Sequence, residues 1–270
     1  MRLLIKIAGA LLEREEHVHA LARQIAELAR AGHELLVVHG GAKVFTATLA
    51  RLGIESHFVN GLRVTDRETR DVAVMVFAGL LNKKLAGAIS LSGQPAVGIS
   101  ASDAACFLAE PMHLGDSRGL GFVGYLTEVN IDFLRSLWRA GIVPVASCLG
   151  LGADGELYNI NADHMAAAAA EFIRADRLLY LTDVAGVLDG EKVLRAVRGE
   201  EIEDLIRRNK VSGGMILKLE AAKRALAGGV SEVRIVGGTQ PRALLAAASG
   251  ERCPGTRVLP VLHSTARAPQ

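Results

Sequence analysis

The chain has 270 residues, 50% of them hydrophobic and 22% charged, a globular balance that excludes disordered and fibrous classes. Lys and Arg total 31 against 29 Asp and Glu, a formal charge of only +2, so neither a nucleic-acid nor a membrane-surface partner is expected. Three scattered cysteines without a C-x-x-C (Cys106, Cys148 and Cys253) predict neither a disulfide framework nor a zinc site and suit a reducing, cytoplasmic setting.

In chain order, RLLIKIAG reads as a buried strand with Lys6 inside it, followed by helical spacing of Val18, Leu21, Ile25 and Leu28 over residues 17–30. ELLVVHGG is a second strand, leading into a helix over residues 44–52. Residues 55–65, ESHFVNGLRVT, place Asn60-Gly61 between extended flanks and predict a hairpin. The runs PAVGIS, GIVPVAS, DRLLYLT and EVRIVGG are further strands, and residues 121–129 read as an inserted strand pair. The alanine run 166–170 predicts a tightly packed helix, and the tail from Ser264 to Gln270 a frayed end. Apolar strands alternating with helices imply an α/β fold, a mostly parallel sheet covered on both faces. No signal-peptide pattern appears, and no apolar run approaches the ~20 residues of a membrane span.

Several strands end in small-residue turns: Ala8-Gly9-Ala10, Gly40-Gly41-Ala42, Gly213-Gly214 and Gly237-Gly238. Such turns expose backbone N–H groups that attract phosphate, although glycine also marks turns for steric reasons alone. Neither a P-loop nor a G-x-G-x-x-G fingerprint is present. Taken singly, Lys6 fits either a functional lysine or one that snorkels from an edge strand, and Lys218 either a site lysine or a solvated helix lysine. Asp163 fits either a site carboxylate or an ordinary helix-start acid. His39 and His164 read as packing or supporting residues, since no spacing suggests metal ligands.

The ordered segments K-I-A-G-A (6–10), V-H-G-G-A (38–42), N-G-L-R-V-T-D (60–66), N-I-N-A-D (159–163), L-T-D-V-A-G-V-L (181–188) and G-G-M-I-L-K (213–218) resemble the amino acid kinase family over nearly the whole chain. Within it they look most like the arginine-insensitive bacterial branch that acts on N-acetyl-L-glutamate. The resemblance implies an open three-layer αβα sandwich, a lobe for the acyl amino acid over 1–174 and a nucleotide lobe over 175–270. It implies ATP-dependent phosphorylation of the γ-carboxylate of N-acetyl-L-glutamate in arginine biosynthesis, with Mg²⁺ accompanying the nucleotide.

By motif, Lys6 and Lys218 would stabilise the transferring phosphoryl group, and Asp163 would organise them. Gly40, Gly41, Ala42, Arg63 and Asn159 would meet the substrate. Gly9, Asp183, Val184, Ala185, Gly186, Val187, Leu188, Lys210, Val211 and Ser212 would meet the nucleotide. Because the first strand begins at Arg2, the resemblance also implies a homodimer without arginine feedback. Ala8, Ala10, Ala42, Ala101 and Ala104 stand at positions usually small or glycine, where a methyl can clash with phosphate or with a positive φ. Two alternatives stand beside this reading: a sister kinase for an acylated aminoadipate, and a ligand-sensing module without catalysis.

Overall fold

The computed structural model describes residues 1–113, 119–250 and 255–261. Cys253 and the tail from Ser264 to Gln270 lie outside the described residues.

The first half comprises β1 (Arg2–Ile7), α1 (Glu15–Arg30), β2 (Glu34–His39), α2 (Ala42–Arg51), the hairpin β3 (Phe58–Val59) and β4 (Leu62–Arg63), α3 (Arg67–Val74) and α4 (Asn82–Leu91). Next come β5 (Ala96–Ile99), β6 (Phe107–Pro111), β7 (Gly124–Val129), α5 (Ile131–Arg139), β8 (Val143–Ser147), β9 (Leu149–Leu151), β10 (Leu157–Asn159) and α6 (Ala162–Phe172). The remainder is β11 (Arg177–Thr182), β12 (Leu188–Asp189), β13 (Lys192–Val193), β14 (Ala196–Arg198), α7 (Ile202–Arg207), α8 (Gly214–Ala227), β15 (Glu232–Gly237), α9 (Ala243–Ser249) and β16 (Thr256–Leu259).

Eight strands form the central sheet in the order β14-β16-β15-β11-β1-β2-β8-β5. The six from β15 to β5 run parallel, and β16 lies antiparallel to β15. This is the mostly parallel, helix-covered sheet that the apolar runs predict, because strands buried on both faces carry almost no polar side chains. Residues 3, 4, 5 and 7 of β1 are fully buried. The sheet and one contiguous core run through the division expected at residues 174 and 175, since β11 pairs directly with β1.

The chain leaves β1 toward β2 on one side and meets β11 on the other, so the carboxyl end of β1 is a topological switch point. Crevices at such points receive ligands in open α/β sheets. A four-stranded sheet, β10-β9-β6-β7, flanks this end.

One expectation is corrected and one element is added. Residues 121–129 are not a strand pair: they contain the single strand β7, whose antiparallel partner is the upstream β6. Residues 67–91, which carried no expectation, form one continuous helix in which α3 and α4 are joined by a π-helical stretch, Met75–Leu81. By length and composition this helix could cross a membrane, but 56% of its most apolar window is buried in the fold. The apolar side that points inward supplies Val72, Val76, Phe77, Leu81, Leu85 and Ile89 to the core.

Candidate active site

Lys6 is the penultimate residue of β1, in a strand flanked on both sides and so unable to act as an edge. Its stem is buried and its ammonium reaches Asp163 Oδ1 at 2.8 Å. Lys218, in the second turn of α8, reaches the same oxygen at 2.7 Å. Asp163 is in place because Asn161 caps α6: its Oδ1 accepts from the backbone N–H groups of Asp163 (2.9 Å) and His164 (3.2 Å). The second asparagine of N-I-N-A-D thus sets the helix start that aims the carboxylate.

All three charged groups are at most 8% exposed. Burial alone pushes the Asp163 carboxyl up, but the two ammoniums outweigh it and hold it at about 2. Burial, and then the Lys6 ammonium, lower Lys218 from 10.5 to about 8, with Asp163 opposing. Below that value the cluster carries two positive charges against one negative. It is therefore a preformed electropositive point, suited to a developing anionic centre.

Beside it lies a cavity whose walls include Lys6, Gly9, Gly40, Gly41, Ala42, Arg63, Asn159 and Asp163. The hairpin β3–β4 closes one side. Its turn residues Asn60 and Gly61 have φ of 50° and 79°, the left-handed pair that a two-residue hairpin turn requires. The hairpin carries Arg63, which is buried between Phe45 and Phe58, with ring centroids 4.8 and 4.5 Å from its guanidinium carbon. Its Nη2 donates to Thr46 Oγ1 at 2.6 Å and its Nη1 to Ser56 Oγ. No carboxylate among the described residues pairs with it, so its charge is held by neutral hydroxyls and ring faces. Asn159 Nδ2 donates to Thr65 Oγ1 at 3.2 Å, at the same cavity.

The glycine turns show where a side chain would meet fixed backbone, at Gly9, and where it would meet side chains that must shift, at Gly41. A Cβ on Gly9 would lie 2.7 Å from the Gly41 Cα and 2.8 Å from its N, so the two turns touch backbone to backbone. A Cβ on Gly41 would meet Leu81 at 2.2 Å and Phe77 at 3.1 Å, both from the π-helical stretch. Both contact points remain glycine. Ala8 is extended (φ −67°) and Ala42 is the exposed first residue of α2, so neither methyl is strained. Ala101 is fully buried and Ala10 partly so. Only Ala104 combines a glycine-type position with positive φ (55°), and it lies outside the cavity lining.

Apart from Gly9, the expected nucleotide residues lie outside this cavity. Asp183 to Gly186 follow the carboxyl end of β11, where Ala185 approaches Gly237 of β15. The Val187 N–H donates to Thr256 Oγ1 at 2.9 Å, and Leu188 begins β12. Lys210 pairs with Asp189 at 2.5 Å, Val211 is buried, and the Ser212 carbonyl accepts from Met215 at the start of α8. Gly213, at φ 52°, takes the left-handed turn before that helix.

The motif reading misses Phe45, Phe58, Phe77, Thr46, Ser56 and Cys148 around the cavity. Three of the chain's seven phenylalanines gather here; Phe45 and Phe58 stand close in sequence to G-G-A and N-G, which was the available signal, while Phe77 comes from the long helix and carried none. Cys148 is buried and its thiol is pushed up to about 12 by burial, so it is a wall residue and not a nucleophile. His39 is fully buried and lowered to about 4, so it is neutral. Its Nδ1 lies 3.1 Å from the Gly40 carbonyl oxygen and its Nε2 3.2 Å from Asn82 Nδ2, consistent with a supporting role.

A profile described as the amino acid kinase family matches residues 1–237. An acetylglutamate kinase of Koribacter versatilis is 50% identical over 245 residues, covering 90% of this chain and 93% of that protein. One from Methanopyrus kandleri is 44% identical, covering 86% and 93%. Among solved structures, an N-acetylglutamate synthase from Neisseria gonorrhoeae, complexed with coenzyme A and N-acetyl-glutamate, superposes with a TM-score of 0.86 at 25% identity. The match covers 97% of this chain but 60% of the synthase.

Proposed function

The chain belongs to the amino acid kinase family, and from that premise we propose that it transfers the γ-phosphoryl group of ATP to the γ-carboxylate of N-acetyl-L-glutamate, releasing ADP and the acyl phosphate. The observation that carries the reading is the meeting of Lys6 and Lys218 on Asp163 Oδ1 at the wall of a cavity that also holds an arginine without a carboxylate partner.

The acceptor needs no general base, because a carboxylate with a pKa of roughly 4 is already ionised at neutral pH. What opposes the reaction is repulsion between that carboxylate and the nucleotide's phosphates. Positive charge and positioning are the remedy. Arg63 takes the α-carboxylate, its fork held edge-on by Thr46 and Ser56 and flat by two rings. Asn159 hydrogen-bonds the acyl amino acid, and the Gly41 and Ala42 backbone N–H groups face the group in transit, whereas the Gly40 N–H is already given to the Ile7 carbonyl at 3.0 Å and Gly40 lines the cavity by its small size. Residues 183–188 and 210–212, joined by Gly9 from the first turn, receive the nucleotide, so the acceptor is held within 1–174 and the donor chiefly by 175–270. Lys6 and Lys218 neutralise charge on the transferring group, and Asp163 fixes the distance between them. Among the described residues no three acidic, histidine or cysteine side chains could cage a metal. Mg²⁺ characteristically keeps several waters and binds substrate phosphates, so the nucleotide's phosphate oxygens would be its main donors.

The finer reading is a cytoplasmic homodimer without arginine feedback. Met75 and Leu80, 65% and 58% exposed on the long helix, support a subunit contact. Light scattering and activity with added arginine test this part. The reaction itself is tested by incubating protein, ATP, Mg²⁺ and N-acetylglutamate with hydroxylamine. Hydroxamate is expected, and none above the no-enzyme control overturns the assignment.

A further inference from the structure

Tyr180 belongs to none of the motifs that carry the kinase reading, yet it touches two of the three charged residues. It lies in β11, directly opposite Lys6 of β1 in the parallel register, so the two side chains leave the same face of the sheet. It is fully buried. Its hydroxyl donates to the main-chain carbonyl of Asp163 at 3.1 Å. Its ring centroid lies 4.9 Å from the Lys218 Nζ.

We infer that Tyr180 is a positioning residue of the reaction centre: its ring face seats the Lys218 ammonium, and its hydroxyl pins the first turn of α6 that carries Asp163. Lysine is a flexible point charge with four rotatable stem bonds, and one carboxylate oxygen shared by two ammoniums does not fix its direction. An aromatic face attracts a cation through its quadrupole, most strongly where water is excluded, and so supplies the second constraint. A leucine or valine would supply neither effect and would leave part of the core volume empty. The phenol is inert in this setting, because burial and the Asp163 carboxylate raise its pKa well above 10. It acts by attraction and not by proton transfer. The inference extends the kinase reading, but its main readout does not depend on turnover.

The groups that face Lys218 are Lys6 from β1, Asp163 from α6 and the Tyr180 ring from β11. Removing the ring's attraction while keeping the other two destabilises the charged form of Lys218. The experiment compares wild type, Tyr180→Phe, and protein carrying 3,4,5-trifluorophenylalanine at 180, which empties the ring face of negative potential at nearly constant size. The Lys218 side chain is titrated by NMR with ¹³C-labelled lysine, its signal assigned with Lys218→Arg. Wild type is expected to titrate near 8, with Tyr180→Phe close to it. The trifluorinated protein is expected about one pH unit lower, the size of a desolvated cation–π contact. Equal midpoints in Tyr180→Phe and the trifluorinated protein overturn the inference. Hydroxamate formation by wild type, measured alongside, reports separately on the kinase reading. If that reading holds, kcat falls with fluorination while KM for N-acetylglutamate stays constant.

Discussion

The ammonium groups of Lys6 and Lys218, one from the first strand and one from a helix late in the chain, converge on a single oxygen: Asp163 Oδ1 lies 2.8 Å from one and 2.7 Å from the other. Two like charges approach this closely only because the carboxylate between them is ionised and buried with them. Asp163→Asn leaves both ammoniums buried without a countercharge. Breaking such a cluster costs about 3–5 kcal/mol unless a lysine gives up its proton, and either outcome removes the charge that the reaction needs. The expected result is a fall in kcat of about 100-fold or more, with a lowered urea midpoint.

Lys218 is expected to set an alkaline limit on activity. Its charge is complete below about 8 and is lost as pH rises through that value. Asp163, held at about 2, and His39, held at about 4, do not change state between pH 5 and 8. The profile of kcat/KM, which reports the free enzyme, is therefore flat through neutrality and falls above about 8. The kcat profile falls at higher pH, because nucleotide phosphates favour the charged lysine. A kcat/KM that rises through pH 8 to 9 contradicts this.

Arg63→Lys keeps the charge but loses the fork that Thr46 and Ser56 hold in plane. A point charge cannot make two parallel bonds to a carboxylate. KM for N-acetylglutamate is expected to rise roughly tenfold or more, about 1.4 kcal/mol per factor of ten, with KM for ATP unchanged. Steady-state kinetics in each substrate separate the two.

Gly9→Ala drives a methyl into the Gly41 backbone at 2.7 Å. Neither turn has a flexible end to yield, so the strands or their turns must part. A displacement near 1 Å at a reaction centre can cost about 100-fold in rate, and overpacking about 1–3 kcal/mol of stability. Circular dichroism melting alongside the hydroxamate assay distinguishes a displaced site from an unfolded one.

Ala104→Gly acts in the opposite direction. Ala104 holds φ 55°, which costs an L-residue about 1–2 kcal/mol, and glycine returns about 0.5–1 kcal/mol of that through unfolded-state entropy. A gain of roughly 0.5–1 kcal/mol in chemical denaturation is expected, with kinetics unchanged because Ala104 lies outside the cavity lining.

The sheet was legible because its signal is local. Buried parallel strands are continuous apolar runs, and each of the six runs from RLLIKIAG to EVRIVGG became a strand of the central sheet. The hairpin was legible in Asn60-Gly61, since few residue pairs accept two positive φ values in succession. The long helix 67–91 escaped notice because its middle is apolar all round and its period is broken by the π-helical stretch. The pair β6–β7 escaped because register across a long connection leaves no mark in either strand alone.

The sequence by itself determined the parallel α/β fold, the ordered motifs and the identity of Lys6, Asp163 and Lys218 as candidates. Each of the three, taken alone, was equally compatible with an ordinary lysine or helix-start acid. Only the tertiary structure decided that both lysines reach one oxygen, that Gly9 and Gly41 touch, that Arg63 sits between two rings, and that Tyr180 lies beneath Lys218. The physical reason is that periodicity and turn chemistry act over a few residues. The cost of burying a charge is offset only by partners that folding brings from distant parts of the chain.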